Sequence, residues 1–143
     1  FSGQWHWLSN FHPCLIEMDG EEYPSLEHAY QAAKTIDGEE RRIIRESPTA
    51  AMAKKLGKHV TVRDDWDLIK VQVMAELVWH KFTRHSDLGN KLANTGDAYI
   101  CEGNWWGDRF WGVCKGQGEN HLGRLLMAVR KNIKEQMHEH GSH

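Results

Sequence analysis

Cysteine is scarce in this 143-residue chain, and the three that occur have no regular spacing. Cys14, Cys101 and Cys114 are odd in number and lack the paired spacing of zinc ligands. This pattern favours reduced thiols in a cytosolic setting over a disulfide framework. We therefore expect a cytoplasmic protein without a structural zinc site.

Long apolar runs are also absent, since no stretch approaches the about 20 residues that a membrane-spanning helix needs. No signal-peptide pattern opens the chain, and because it starts at Phe1 without a methionine we expect a few native residues to be missing. Residues 138–143 are interpreted as a tail that is partly left over from an expression tag. The histidines within this tail are excluded as site residues, and no membrane contact is expected.

Charge of one sign is not in excess, because 18 basic and 20 acidic residues leave a formal net charge of −2. This balance excludes the class of basic proteins that bind nucleic acid only through its phosphate backbone. A local contact with nucleic acid stays open. The length suits one domain, and 40% hydrophobic residues can bury a core. With no internal repeat visible, we expect a single compact domain over residues 1–137.

Aromatic residues, in contrast, are concentrated in residues 104–112. This segment contains three tryptophans together with Asp108, Arg109 and two glycines. Indoles are usually buried, so three of them beside a carboxylate indicate an aromatic-walled pocket for a flat ring, with one charge aimed into it. The alternative is that one or two rings fill the core while Asp108 caps a turn. The segment alone does not decide between them.

Hydrophobic periodicity and turn chemistry predict an α+β fold that is mainly α-helical, with a small antiparallel β-sheet of short hairpins. Strands are predicted over 14–18 and 21–23, joined by the Asp19-Gly20 turn, and over 98–102 and 110–114. Helices are predicted over 26–36, 39–46, 48–57, from 64 or 65 to 82, over 87–92 and over 121–135, with caps at Ser25, Ser47, Ser86 and Asn120.

The first predicted helix places three polar side chains on one face. Glu27, Gln31 and Lys34 are spaced by four and then three residues, so they line up along the helix. The helix dipole favours an ionised Glu27, whereas burial against aromatic rings would raise its pKa, so its charge state is left open. A solvated, salt-bridging face is the more common interpretation of such residues on an amphipathic helix.

Five motifs, in order over residues 1–133, together resemble one family. They are Trp7-Leu8-Ser9-Asn10-Phe11, the run Tyr23-Pro24-Ser25-Leu26-Glu27-His28-Ala29-Tyr30-Gln31-Ala32-Ala33-Lys34, Arg63-Asp64-Asp65-Trp66, Trp106-Gly107-Asp108 through Trp111-Gly112, and Gly118-Glu119-Asn120-His121-Leu122-Gly123-Arg124-Leu125-Leu126-Met127. On these motifs the chain is identified as a member of the YbiA-like, or NADAR, family.

The resemblance implies N-glycosidase chemistry on a small-molecule ribosyl substrate, with no metal and no organic cofactor. Members of the family release ribose 5-phosphate from ribosylaminopyrimidine phosphates of riboflavin synthesis, and others release ADP-ribose from modified guanine, so ADP-ribosylated DNA is a further candidate partner. Membership fixes neither the substrate nor the oligomeric state. The implied fold is a compact, mainly helical domain with a small antiparallel sheet.

The resemblance also implies functional positions. Glu27 and Asp108 look like the family's functional carboxylates, and Trp106 and Trp111 look like aromatic walls of the site. The polar positions that match the same motifs are Asn10, Lys34 and Asn120. Whether Trp105 or Trp106 enters the pocket is left open, and Lys34 or Arg109 is expected to hold a phosphate.

Cleavage of a ribose C1′–N bond builds positive charge on the sugar, so the site needs a carboxylate, an activated water and stabilisation of the leaving nitrogen. We expect Glu27 to act as general base and Asp108 to stabilise the charged state, with an exchange of these roles as the alternative. Two other classes stay open: a non-catalytic module that binds ADP-ribose or a nucleotide, and a structural domain that self-associates through its tryptophans.

Overall fold

The computed structural model describes the backbone of residues 1–141 and the side chains of residues 1–138. Most of the predicted tail, 138–143, therefore lies outside the described side chains. The fold consists of two compact units, Ser2–Lys81 and Phe82–His143, and Phe1 groups with the second. The expectation of one domain over residues 1–137 stays a prediction.

The first unit opens with a 3-10 helix, Gly3–Leu8, and an antiparallel hairpin of β1 (Pro13–Met18) and β2 (Glu21–Ser25). Between the strands Asp19 and Gly20 adopt φ angles of 52° and 82°, which this residue pair tolerates well. The predicted first hairpin is thus confirmed. The 3-10 helix lies in a segment for which neither a helix nor a strand is predicted, because a helix this short leaves no readable hydrophobic period.

Four helices follow in the chain. They are α1 (Leu26–Ala33), α2 (Gly38–Arg45), α3 (Ala50–Gly57) and α4 (Trp66–Arg84), the last of which enters the second unit after Lys81. Helix α1 packs against α2, α3 and both strands, and all eight of its residues are buried. It is therefore the helix around which the first unit is assembled.

Two predicted caps, Ser86 and Ser47, are wrong. Ser86 is the first residue of its helix and follows the N-cap residue His85. Helix α3 starts after Thr49, whose hydroxyl accepts a hydrogen bond from the Met52 amide at 3.1 Å. Ser47, the predicted cap, donates its hydroxyl to the Ile44 carbonyl at the end of α2, and its own carbonyl contacts His28. Because the hydroxyl and the carbonyl of Ser47 already have these partners, Thr49, the next residue with a hydroxyl group, caps α3.

The second unit contains α5 (Ser86–Asn94), β3 (Gly103–Asn104), β4 (Val113–Cys114) and α6 (His121–Gly141). Helices α5 and α6 pack together. The buried apolar side chains of this unit include Phe82, Leu88, Leu92, Ile100, Leu122, Leu126, Val129 and Ile133. The last four of these residues follow helical spacing on α6. The predicted helix is therefore confirmed, although it extends beyond the predicted end at 135.

The predicted second hairpin is wrong. Strands β3 and β4 have two residues each and pair in parallel, with Gly103 opposite Val113 and Asn104 opposite Cys114. In the segment that joins the two strands, the backbone is hydrogen-bonded by side chains and not by a neighbouring strand. The Asn104 side chain donates to the Asp108 carbonyl and accepts from the Asp108 amide. Polar side chains that satisfy the backbone locally compete with strand pairing, so the segment forms a loop.

The predicted fold class is confirmed: the protein is α+β and mainly α-helical, with one small antiparallel sheet. Throughout the described helices, none combines the length and the apolar character that crossing a bilayer requires.

Candidate active site

Glu27 lies in the first turn of α1, where two neighbouring segments hold the backbone. Ser25 caps the helix by accepting the His28 amide at 3.2 Å. The Glu27 amide donates to the Asn10 carbonyl at 3.0 Å, so the Leu8-Ser9-Asn10 motif is tied to the start of α1. The backbone position of Glu27 is therefore fixed by contacts with two motifs, and Asn10 in one of them is 17 residues from Glu27 in sequence.

The Glu27 carboxylate is buried rather than solvated. The residue is only 7% exposed, and its Oε1 accepts a hydrogen bond of 2.8 Å from Nε2 of Gln31, which is 4% exposed. The interpretation of a solvated face is therefore wrong for these two residues, because the neighbouring helices and strands cover α1. A buried carboxylate needs such partners, since burial otherwise disfavours its charge.

Lys34, one turn beyond Gln31, brings positive charge to the same helix. Partial burial lowers the pKa of its ammonium group, the charge of Glu27 opposes that shift, and Lys54, Lys58 and Lys70 lower the pKa further. Lys34 therefore interacts electrostatically with Glu27 and with three other lysines that come from α3, its C-terminus and α4. We call Lys34, Lys54, Lys58 and Lys70 the lysine cluster. A cluster of cations beside a carboxylate is suited to a substrate that carries phosphate.

The loop of Ser9 and Asn10, before the hairpin, contacts Glu27 and Lys81 through its backbone carbonyls. Lys81, which is almost fully buried, donates its ammonium group to the Ser9 carbonyl at 2.8 Å. The Asn10 side chain donates to the sulfur of Met74 at 3.6 Å. The structure thus places Asn10 next to Glu27 by a backbone contact, and its predicted role in binding substrate stays a prediction.

His28 follows Glu27 in sequence but has a different set of partners. Its Nδ1 lies 2.7 Å from Ser25 Oγ and its Nε2 lies 3.0 Å from the Ser47 carbonyl. Burial lowers its pKa, and the bond to Ser47 opposes that shift. A neutral ring that donates from Nε2 and accepts at Nδ1 satisfies both contacts, so His28 links α1 to the segment after α2.

Asp108, in the second unit, organises its own loop. Its Oδ1 accepts the amides of Phe110 at 3.1 Å and Trp111 at 2.9 Å. This is the turn-capping role that the sequence offered as the alternative interpretation. Because Oδ2 is not part of these contacts, the capping role is compatible with a second role toward a ligand, and the catalytic assignment stays a prediction.

The tryptophans of this loop differ in exposure. Trp105 is 86% exposed and Trp106 is 49% exposed, and their rings meet edge to face at 5.7 Å. Trp111 packs against Phe110 and His121, with centroids 4.8 and 6.3 Å away. Trp111 is therefore held by its neighbours, whereas the other two rings offer faces to a ligand.

Asn120 has a structural role that accounts for all its side-chain atoms. Its Oδ1 accepts the Glu102 amide at 2.9 Å, and its Nδ2 donates to the Ile100 carbonyl and the Tyr99 hydroxyl. Arg109 is exposed, and its carbonyl accepts the Glu119 amide. The predicted ligand contacts of these two side chains stay predictions.

Two features of the site were missed by the sequence interpretation. The sequence places Gln31 on the same helix face as Glu27 but gives it no function, although a spacing of four residues is the sign of such a contact. The lysines at 54, 58 and 70 were not connected with the site, because residues so far apart in sequence give no local pattern. Among the described residues no group of three or more potential ligands is placed to hold a metal ion.

Comparison with known proteins supports the family assignment. A model of the NADAR domain matches residues 1–134. The N-glycosidase Npun_R5314 of Nostoc punctiforme is 39% identical over 133 residues, which cover 89% of this chain and 85% of that protein. The riboflavin biosynthesis protein VVA0006 of Vibrio vulnificus is also 39% identical, over 90% of this chain but only 35% of that longer protein.

The Escherichia coli N-glycosidase YbiA is 34% identical over 88% of this chain and 80% of its own length. The NMR structure of E. coli YbiA superimposes with a TM-score of 0.86 at 33% identity, covering 96% of this chain and 83% of that chain. The match spans the motifs that carry Glu27, Lys34 and Asp108. The chain therefore belongs to the NADAR domain family and is an N-glycosyl hydrolase.

Proposed function

We propose that this chain hydrolyses the bond between C1′ of a phosphorylated ribose and the nitrogen of a flat heterocycle. The observation that carries the proposal is the buried Glu27 carboxylate. It accepts a hydrogen bond of 2.8 Å from Gln31 and interacts electrostatically with Lys34. A carboxylate supplies the negative charge that an oxocarbenium-like state requires, and the lysine cluster supplies cations for phosphate.

In the proposed reaction Glu27 is the general base. It accepts a proton from water as the water oxygen bonds to C1′, and the electrons of the C1′–N bond pass to the leaving nitrogen, which takes up a proton. Asp108 stabilises the positive charge of the sugar or contacts the leaving group. The exchange of these two roles is the alternative assignment.

Aromatic and cationic side chains would bind the rest of the substrate. The exposed faces of Trp106 or Trp105 are suited to stacking on the heterocycle, a contact worth about 1–3 kcal/mol per base in comparable sites. We propose Trp111 as a further wall residue, with Asn10 and Asn120 as polar contacts. Lys34 and Arg109 are the proposed phosphate ligands, and Lys34 is supported by its neighbouring lysines.

Two substrate types fit this arrangement. A ribosylaminopyrimidine phosphate would yield ribose 5-phosphate, and the riboflavin-biosynthesis name of the Vibrio relative favours this type. ADP-ribosylated guanine, free or in DNA, would yield ADP-ribose, whose two phosphates also suit the lysine cluster. Neither proposed reaction needs a metal or an organic cofactor, and the reduced cysteines agree with a cytoplasmic location.

The experiment measures ribose 5-phosphate release from a ribosylaminopyrimidine phosphate, and ADP-ribose release from ADP-ribosylated guanosine and DNA. Wild-type protein is compared with Glu27→Gln, which keeps the shape of the side chain but cannot accept the proton. We expect release from one substrate type and a loss of about 10²–10⁴-fold in the variant. Near-normal turnover by folded Glu27→Gln would refute the role of Glu27. Stoichiometric ADP-ribose binding without any release would instead favour the non-catalytic module.

A further inference from the structure

Gln31 connects the Glu27 carboxylate to a glycine on another helix. Nε2 of Gln31 donates to Glu27, while Oε1 is a buried side-chain oxygen with no hydrogen-bond partner in the described part of the chain. An ionised carboxylate accepts hydrogen bonds only, so the amide must turn its NH₂ group toward Glu27. The amide oxygen is therefore forced to the opposite side, toward Gly57.

Gly57, the last residue of α3, leaves no room for a side chain. A Cβ atom at this position would lie 1.9 Å from Gln31 Oε1 and 2.7 Å from Gln31 Cδ. Both distances are below any normal contact, and the obstructing atoms belong to the amide group itself. A Cα hydrogen of Gly57 points in this direction instead.

Backbone conformation does not account for this glycine. Gly57 is not among the glycines with a positive φ angle, so alanine has no conformational penalty there and is the better helix former. The distinctive property of the position is therefore the space that it leaves for the Gln31 amide.

We propose that Gly57 is a positioning residue for the reaction, because its missing side chain keeps Gln31 hydrogen-bonded to Glu27. Any side chain at position 57 displaces the Gln31 amide, and the buried carboxylate loses the hydrogen bond from Gln31 Nε2. The inference rests on the role proposed above for Glu27. It adds that the reactivity of this carboxylate is set from α3, through a residue that does not touch the substrate.

The test compares Gly57→Ala, Gln31→Ala and the double variant with wild-type protein. Gly38→Ala is the matched control, because Gly38 also belongs to a helix, has no positive φ and has open space where a Cβ atom would lie. We expect Gly57→Ala and Gln31→Ala each to lower turnover by about tenfold or more, as the loss of a hydrogen bond to a charged group predicts. Gly38→Ala should retain normal turnover.

The double variant separates positioning from general damage. If Gly57 acts through Gln31, adding Gly57→Ala to Gln31→Ala should cause no further loss, because the displaced amide is already gone. The double variant also has space for the new methyl group, so it tests the inference even if Gly57→Ala alone folds poorly. Losses that multiply in the double variant would overturn the proposal, and so would wild-type turnover by Gly57→Ala where Glu27→Gln is inactive.

The pH dependence gives a readout that poor folding would not produce. Removing the Gln31 donor makes the ionised form of Glu27 less favourable, so the acidic limb of turnover should move to higher pH in both single variants. The cations that interact electrostatically with Lys34 at this site are Lys54, Lys58 and Lys70. Because burial lowers the pKa of the neighbouring His28 toward that limb, the Glu27 carboxyl carbon itself should be followed by NMR.

The NMR titration also distinguishes the two proposals. An upward shift of the Glu27 titration in Gly57→Ala, with none in Gly38→Ala, supports the coupling whether or not the protein turns over substrate. If Glu27→Gln stays active while this shift is seen, the proposed catalytic role fails and the coupling stands. An unchanged Glu27 titration in Gly57→Ala refutes the coupling itself.

Discussion

At the scale of single residues, Asp108 combines an observed structural contact with a proposed chemical role. Its Oδ1 accepts two backbone amides, whereas a catalytic role needs the negative charge of the group. These two functions separate in the Asp108→Asn variant, because an amide oxygen still accepts hydrogen bonds but the charge is lost.

We expect Asp108→Asn to unfold at nearly the wild-type temperature while turnover falls about 100-fold or more, as removal of a catalytic carboxylate predicts. Asp108→Ala should lose both stability and turnover, since the Phe110 and Trp111 amides then lack their acceptor. Thermal unfolding and product release are measured on the same preparations. Full turnover by Asp108→Asn would leave Asp108 with its structural role only.

Lys81 provides a second prediction at this scale. Burial lowers the pKa of its ammonium group from 10.5 to about 8 in the folded protein, and interaction with Cys14 opposes the shift. Between these two pH values the unfolded chain binds more protons than the folded one, so stability should increase as pH rises through this window. Below about pH 8 both states are protonated and the contribution is constant.

The free energy of unfolding, measured by urea denaturation from pH 7.5 to 10, should therefore rise by at most about 1.4 kcal/mol per pH unit from this group. Lys81→Met should remove that slope, with Cys14→Ser introduced into both proteins to eliminate the thiol titration. An equal slope in the two proteins would show that Lys81 titrates normally.

At the scale of secondary-structure elements, Asn120 joins the start of α6 to the segment before β3. Its side chain binds the Glu102 amide, the Ile100 carbonyl and the Tyr99 hydroxyl, and the residue is buried. Gly123 permits this approach, because a Cβ there would lie 2.2 Å from the Ile100 carbonyl oxygen. The connection therefore depends on one amide side chain and one missing side chain.

Asn120→Ala should destabilise the protein by about 1–3 kcal/mol, because two buried backbone groups lose their partner. Asn90→Ala, an exposed change in α5, is the control and should have little effect. Both are measured by chemical denaturation. If Asn120→Ala retained wild-type stability but lost substrate affinity, the predicted ligand contact of Asn120 would be favoured over its structural role.

At the scale of the whole molecule, charge is distributed so that a nearly neutral chain still has a local cationic site. The formal net charge is −2, yet Lys34 interacts with three other lysines. Screening by salt weakens such partly exposed charges. The Michaelis constant for a phosphorylated substrate should therefore rise with salt, whereas turnover at saturation should change less.

Lys58→Gln should raise that Michaelis constant several-fold and weaken its salt dependence, because one cation is removed without touching Glu27. Lys91→Gln, an exposed change on α5, leaves the lysine cluster intact and is the matched control. Steady-state kinetics at several salt concentrations measure both effects. Identical salt dependence in the two variants would show that Lys58 does not contribute to phosphate binding.

The sequence by itself determined the elements whose causes are local. The Asp19-Gly20 turn, the Ser25 cap and the apolar spacing of α6 each depend on residues a few positions apart, and all three are confirmed. The ordered motifs also determined the family. Asn104 was not foreseen as the partner of Asp108, and so the second hairpin was predicted where a loop occurs.

Only the tertiary structure decided the environment of the site. The spacing of Glu27 and Gln31 places them on one helix face, but the packing of α2, α3 and the strands makes that face buried instead of solvated. The space at Gly57 and the approach of the lysines to Lys34 likewise depend on different helices. Contacts between segments remote in sequence determine burial and electrostatic potential, and a local pattern carries no information about them.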